Sequence, residues 1–247
     1  MPGPARLLLL GHLAAAAASL AVFAAVRPPA PARLAGRRGW LAASGRWAYW
    51  LTRPLLGAAR ALGLSADALT WLGVAVTAAA GWLAVDGRWG PCGLALLWGS
   101  VCDMLDGELA RGTGTASPSG AFLDSNLDRL SELALFAGVA LGLPTRAGAA
   151  WAVGALCASL MVSYARARGE GLGITCPPFG LERPHRVVLM LAALLPAPFL
   201  APAQAACAVE VGCALVALGA GATAAGRIAV IHRLLRQGAT AGRPGAP

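Results

Sequence analysis

Charge is scarce in this 247-residue chain: charged residues make up 13% of it, against 57% hydrophobic residues. A soluble domain of this size carries about 25% charged residues, so the composition excludes an ordinary soluble fold and points to a polytopic membrane protein. Lysine is missing altogether, and all 20 basic residues are arginine. Alanine and glycine dominate the apolar stretches, the mark of a biased base composition rather than of any chemistry. Aromatic residues are few, at 6%, and no arginine-rich patch is interleaved with them. The net charge of +9 is therefore no nucleic-acid footprint, and the bilayer surface is the expected partner. Histidine occurs three times, at His12, His185 and His232, with no ligand spacing, which argues against a histidine metal site. The six cysteines show no C-x-x-C pair, and five of them lie inside apolar runs where a thiol acts as a small hydrophobe.

A helix that spans a bilayer needs about 20 mostly apolar residues, and seven stretches qualify, near 7–26, 66–85, 90–110, 120–143, 147–165, 187–202 and 204–232. The predicted fold is an all-α membrane bundle. Short connections such as Asp86-Gly87-Arg88 and Leu143-Pro144-Thr145 suit antiparallel neighbours. Residues 27–45 read as a Pro/Arg-rich linker after an extra first span, and residues 46–62 as an amphipathic helix lying in the interface, although a short cytosolic helix has the same pattern. The core membrane domain is expected over 63–233 and a disordered tail over 234–247. If 27–60 is cytosolic, fifteen of the 20 arginines fall on that side, while Arg6, Arg88 and Arg146 fall on the other. The positive-inside rule therefore places residues 27–60 in the cytosol and makes the first helix an uncleaved span rather than a secretory signal.

Eleven acidic residues exist in the chain, and six of them, Asp103, Asp106, Glu108, Asp124, Asp128 and Glu132, fall within thirty positions that otherwise look transmembrane. A carboxylate at membrane depth costs at least a few kcal/mol unless it is paired, hydrated or bound to a cation. Asp103 and Asp106 are spaced i, i+3 and Asp124 and Asp128 i, i+4, so each pair shares one helical face. The segment between them is short and turn-rich, with Ser117 placed to cap and Pro118 at the first helical position, which predicts a helical hairpin. Four carboxylates without a His or Cys ligand set suit hard cations such as Mg²⁺ or Mn²⁺. Two such ions a few ångströms apart clamp a transferring phosphoryl group. Gly107 and Gly120 offer close approach to a nucleotide or a facing helix, and Arg111, one turn beyond Gly107, offers a forked donor to a diphosphate. Tight helix packing alone would also account for the glycines, and interfacial anchoring for Arg111.

The run Asp103-Met-Leu-Asp106-Gly107-Glu-Leu-Ala110-Arg111, eight residues, then Gly120-Ala-Phe-Leu-Asp124-Ser-Asn-Leu-Asp128 resembles the full signature of the CDP-alcohol phosphotransferases, D-x2-D-G-x2-A-R-x8-G-x3-D-x3-D. All eight fixed positions match. The resemblance implies six helices over about 66–232, a homodimer, a polar cavity open to the cytosol, and reaction of a CDP-linked lipid with an alcohol to release CMP. It further implies that Asp103, Asp106 and Asp124 are metal ligands, that Asp128 is a metal-associated carboxylate and general base, and that Gly107, Ala110, Arg111 and Gly120 line the CDP pocket. The first helix departs from the six-helix pattern.

A second polar cluster follows, with Ser163, Arg166 and Arg168, then Glu182-Arg183-Pro-His-Arg186, and Arg227 inside the last span. Buried arginine is expensive without an anion, so several converging on one cavity suggest an acceptor that carries phosphate. Positive-inside anchoring explains each arginine taken singly. The stretch SYARARGEGLG…GLERPHR resembles the corresponding region of the prokaryotic phosphatidylinositol phosphate synthases, which join CDP-diacylglycerol to inositol phosphate. That resemblance implies that Ser163, Arg166, Arg186 and Arg227 hold the acceptor phosphate, with Arg166 standing where those enzymes often have lysine. Glycerol 3-phosphate is the competing acceptor, and an unphosphorylated alcohol would leave the arginines unexplained. A reading from a different class, a metal-ion transporter with an intramembrane acidic pathway, has no use for the D-G-x2-A-R context.

Overall fold

The computed structural model describes residues 4–26, 40–176 and 179–241, and among them every regular element is helical. Eight α-helices follow in chain order: α1 (Pro4–Val26), α2 (Trp40–Ala61), α3 (Ala66–Val85), α4 (Trp89–Thr113), α5 (Pro118–Gly142), α6 (Arg146–Glu170), α7 (Arg183–Leu194) and α8 (Pro202–Ala241), with a 3₁₀ turn at Ala197–Phe199. Each of the seven expected apolar stretches contains an α-helix. By length and apolar composition alone, α1, α3, α6 and the Pro202–Gln237 part of α8 suffice to cross a bilayer. The 25-residue α4 and α5 are equally long and carry the acidic residues. The sixth expected span is shorter than predicted, because Pro196 and Pro198 withhold backbone donors and the chain leaves α7 for the 3₁₀ turn. The linker expected over 27–45 lies outside the described residues up to 39, and its last part begins α2. At the other end α8 continues into the stretch expected as tail, and 242–247 lie outside the described residues.

The chain divides into two compact units, Met1–Val76 with Leu97–Leu127, and Thr77–Leu96 with Asp128–Pro247. In the first, α2 buries Thr52, Leu56 and Ala59 at i, i+4, i+7 while the residues between them stay exposed, the one-sided pattern of an amphipathic helix. Leu56 and Ala59 close a small core with Leu69 of α3 and Leu105 and Leu109 of α4. Helix α1 is almost wholly exposed except at Leu9 and meets α2 through the Trp47 indole, which donates to Ser19 Oγ at 3.2 Å, and the Phe23–Trp50 ring pair at 5.8 Å. Gly114, at φ +71, turns the chain out of α4 in a conformation that strains any residue with a side chain. The Gly120 amide then donates to Ser117 Oγ at 3.1 Å, so α5 starts as expected, with Ser117 capping and Pro118 at the first helical position.

The second unit holds the larger core, built from Trp89, Cys92, Leu135, Phe136, Val139, Met190, Leu194, Val209 and their neighbours. Helices α6 and α8 pack along their length through small buried residues, among them Ala152, Ala155 and Ser159 of α6 and Cys213 and Ala220 of α8. The tightest crossing joins α3 to α5. A Cβ placed on Gly138 would stand 2.0 Å from the Gly81 carbonyl oxygen, and one on Gly142 would stand 1.8 Å from the Ala84 carbonyl oxygen. Gly138 and Gly142 form a G-x-x-x-G pair that lets the two backbones touch, the packing device of helices that have no hydrophobic drive to associate in lipid. Gly138→Ala and Gly142→Ala should each cost about 1–3 kcal/mol of overpacking. A chain of this size then melts several degrees lower, at roughly 2–4 °C per kcal/mol. Gly221→Ala, where nothing lies within 4 Å, should melt no lower than the parent in the same detergent scan. Equal midpoints for all three variants would refute the close crossing.

Candidate active site

In the first unit, α4 presents Asp103 and Asp106 one turn apart, and α5 presents Asp124. One carboxylate oxygen from each of the three lies within 4.8 Å of the others, a set able to hold a metal ion. Asp106 is the deepest, at 5% exposed, and the other two are half-buried. Its carboxylate accepts the Gly107 backbone N–H on Oδ1 and the Thr70 hydroxyl, at 2.7 Å, on Oδ2. All donors of the set are oxygen, which fits a hard dication and not a thiolate or imidazole metal.

Asp106 and Asp124 face a cavity of about 530 Å³ that is also lined by Gly107, Ala110, Arg111 and Gly120. The four residues expected around a CDP group are thus brought together with two of the carboxylates. A Cβ on Gly107 would meet the Arg111 guanidinium at 3.1 Å, so a side chain there would press on the movable end of Arg111. Arg111 pairs with Glu108 at 2.8 Å while its side chain stays 55% exposed, so this pair is weak and the guanidinium is able to turn to a ligand. Thr70, Ser65 and Asp67, from the start of α3, also line the cavity. No motif pointed to them, because a hydroxyl or single carboxylate at a helix start reads from sequence as a cap.

Asp128 belongs to the second unit, where Arg183 Nη2 lies 2.9 Å from its Oδ1 and Arg129 stands 3.9 Å from Oδ2. Arg186, 2% exposed, donates through Nε and Nη2 to Glu132 Oε1 at 3.1 and 2.6 Å, and through Nη1 to the Leu181 carbonyl at 3.1 Å. Arg227, 3% exposed, pairs with Glu182, donates to the Val162 carbonyl at 3.1 Å and stacks over Phe179 at 5.7 Å. Arg166 binds Glu170 at 2.9 Å with half of its side chain exposed, and Ser163 Oγ donates to the Ser159 carbonyl at 3.3 Å. The buried arginines therefore have protein carboxylates beside them. Their burial alone does not call for an outside anion, because Glu132 and Glu182 already supply the charge. By sequence Glu132 falls in the acidic cluster, and its separation of 54 residues from Arg186 carries no local signal of their pairing.

Residues 64–224 match the CDP-alcohol phosphatidyltransferase family, a region that begins after α1 and α2. The chain is 38% identical over 137 residues to the archaetidylinositol phosphate synthase of Pyrococcus horikoshii, across 54% of this chain and 71% of that one. It is 37% identical over 152 residues to the phosphatidylinositol phosphate synthase of Mycolicibacterium smegmatis, across 57% of this chain and 66% of that one. Its structure is similar to the crystal structure of Mycobacterium tuberculosis phosphatidylinositol phosphate synthase with CDP-DAG bound, with a TM-score of 0.65 and 28% identity over 73% of this chain and 92% of that one. The same synthase in complex with manganese and citrate gives a TM-score of 0.66 at 28% identity, over 73% and 88% of the two chains. A transporter is thereby set aside: this chain belongs to the CDP-alcohol phosphatidyltransferase family and is a membrane enzyme of that type.

Proposed function

We propose that this enzyme transfers the phosphatidyl group of CDP-diacylglycerol to inositol phosphate and releases CMP. The observation that carries the reading is the gathering of Asp103, Asp106 and Asp124 beside a cavity lined by Gly107, Ala110, Arg111 and Gly120. Support for the acceptor comes from the relatives, whose names are those of inositol phosphate synthases. Asp103, Asp106 and Asp124 would hold divalent cations, Mg²⁺ or Mn²⁺, while a metal-associated role for Asp128 rests on the motif alone; a similar synthase was solved with manganese. When bound, these ions supply positive charge to the diphosphate and to the leaving CMP.

The protein's own groups do the rest. Gly107, Ala110 and Gly120 leave room for the cytidine diphosphate, and Arg111 exchanges Glu108 for diphosphate oxygens. Ser163, Arg166, Arg186 and Arg227 receive the acceptor phosphate. The acceptor hydroxyl attacks the lipid-side phosphorus in line. A new oxygen–phosphorus bond forms, the bond to CMP breaks with its electron pair passing to the CMP phosphate, and Asp128 takes the hydroxyl proton, one of its oxygens oriented by Arg183. We assign the cavity to the cytosolic side, where the arginine-rich segments fall by the positive-inside rule, and the working enzyme to a homodimer, as in the family that the motif resembles.

Purified enzyme given CDP-diacylglycerol, Mg²⁺ and labelled inositol phosphate should yield labelled lipid and equimolar CMP. Product from glycerol 3-phosphate but not from inositol phosphate would move the assignment to phosphatidylglycerophosphate synthesis, and product only from free inositol would remove the acceptor-phosphate site. Asp128→Asn, close to isosteric, should lower kcat about 10²–10⁴-fold in the same CMP-release assay. Activity retained in that variant would refute the general-base role.

A further inference from the structure

We propose that Thr70 is a positioning residue of the cation site: its hydroxyl fixes the Asp106 carboxylate in the orientation that binds metal. The inference rests on the reading of Asp103, Asp106 and Asp124 as cation ligands and adds a residue from a third helix, outside the acidic signature.

Thr70 stands on α3 and donates to Asp106 Oδ2 at 2.7 Å. A threonine hydroxyl has one proton, and the Ala66 carbonyl at 3.1 Å competes for it. The shorter bond to the carboxylate is charge-assisted and about twice as strong as a neutral one, so the proton goes to Asp106. The Gly107 N–H holds the other oxygen. Each oxygen of Asp106 then accepts one hydrogen bond and keeps further lone-pair capacity for a cation, while rotation about the broad Cβ–Cγ torsion is stopped. Asp106 has the greatest need of this: it is the most buried of the three ligands, where a wandering carboxylate meets little water.

The backbone is arranged to bring the hydroxyl there. One turn along α3 from Thr70, a Cβ on Gly73 would lie 3.2 Å from Cys102 Cβ and 3.2 Å from the Gly99 carbonyl oxygen of α4. This close approach sets α3 against α4 within reach of a side chain as short as threonine. Leu69, buried beside Leu105 and Leu109, fixes the rotational phase of α3, and branching at Cβ restricts the Thr70 side chain to few rotamers. Thr70 also lines the cavity with Asp106 and Asp124, so it lies at the site and not merely behind it.

The test is Mn²⁺ alone, titrated into the purified full-length protein and followed by the electron paramagnetic resonance signal of the free ion. Removing the partner that orients a metal ligand typically weakens metal binding about 10–100-fold. Thr70→Val, which keeps the shape and loses the proton, should therefore weaken Mn²⁺ binding at least about tenfold, and Thr70→Ser should restore most of it. If Thr70 only joins α3 to α4, Thr70→Val lowers the metal-free melting temperature and leaves Mn²⁺ affinity at the parent value, which overturns the proposal. A serine variant as weak as valine overturns it too. Thr70→Ala replaces the valine variant if that one does not fold. A parent enzyme whose Mn²⁺ binding is untouched by Asp106→Asn removes the cation reading itself, an outcome distinct from a parent site that survives intact in Thr70→Val.

Discussion

The ligand oxygens of Asp103, Asp106 and Asp124 lie within 4.8 Å of one another, and at that spacing two carboxylate charges repel by about 3 kcal/mol even at an effective dielectric of ~20. Three such pairs, on helices that bury Asp106, work against the packing of α4 beside α5. Hydrogen bonds from Thr70 and the Gly107 amide offset part of this at about 1.5–3 kcal/mol each for a charged acceptor. A dication reverses the sign of the problem, because each carboxylate then attracts a shared charge. Closeness of the helices and affinity for the cation are two expressions of one free energy, as in any metal site whose ligands must be brought together by folding.

In the second unit the charges are neutralised by the opposite route. Arg186 and Arg227 are buried on Glu132 and Glu182, each with a backbone carbonyl taking another donor. Removing one partner of such a buried pair costs about 3–5 kcal/mol, so these guanidinium groups are rigid. Arg166 is different. Its pair with Glu170 is an exposed i, i+4 contact worth about 0.3–0.5 kcal/mol, which an incoming phosphate exceeds easily. Of the three arginines proposed for the acceptor, Arg166 holds its carboxylate most weakly, and Arg186 and Arg227 are held in place by theirs.

The helices and the acidic core of the site were legible because both depend on period. Apolar runs of about 20 residues mark helices whatever they pack against, and carboxylates at i, i+3 or i, i+4 share a face whatever faces them. The turn between α4 and α5 was equally local, since Ser117 and Pro118 act on the backbone within one turn. Pairing across long separations has no such period. The Glu132–Arg186 and Glu182–Arg227 contacts join residues 54 and 45 positions apart, and an arginine in sequence does not declare its carboxylate. Thr70 carries no local signal for the same reason, lying 36 residues from the carboxylate it bonds. The sixth span ends early because Pro196 and Pro198 sit in its apolar run, and hydropathy is blind to the donors they lack.

Helix α3 carries no part of the signature, yet it makes close contacts within each unit. Thr70 and Gly73 meet α4 in one, and Gly81 and Ala84 meet α5 in the other. In a bilayer, apolar side chains gain little by leaving lipid for one another, so van der Waals fit and interhelical hydrogen bonds decide which helices pair and in what register. Glycines that admit backbone contact fix that register sharply, since a shift of one residue replaces each glycine by a side chain with no room. A hydroxyl placed one turn from such a contact inherits its precision. If Thr70 orients Asp106 as proposed, enlarging Gly73, which touches no ligand but would press on Cys102 and the Gly99 carbonyl at 3.2 Å, should weaken the hold on that carboxylate.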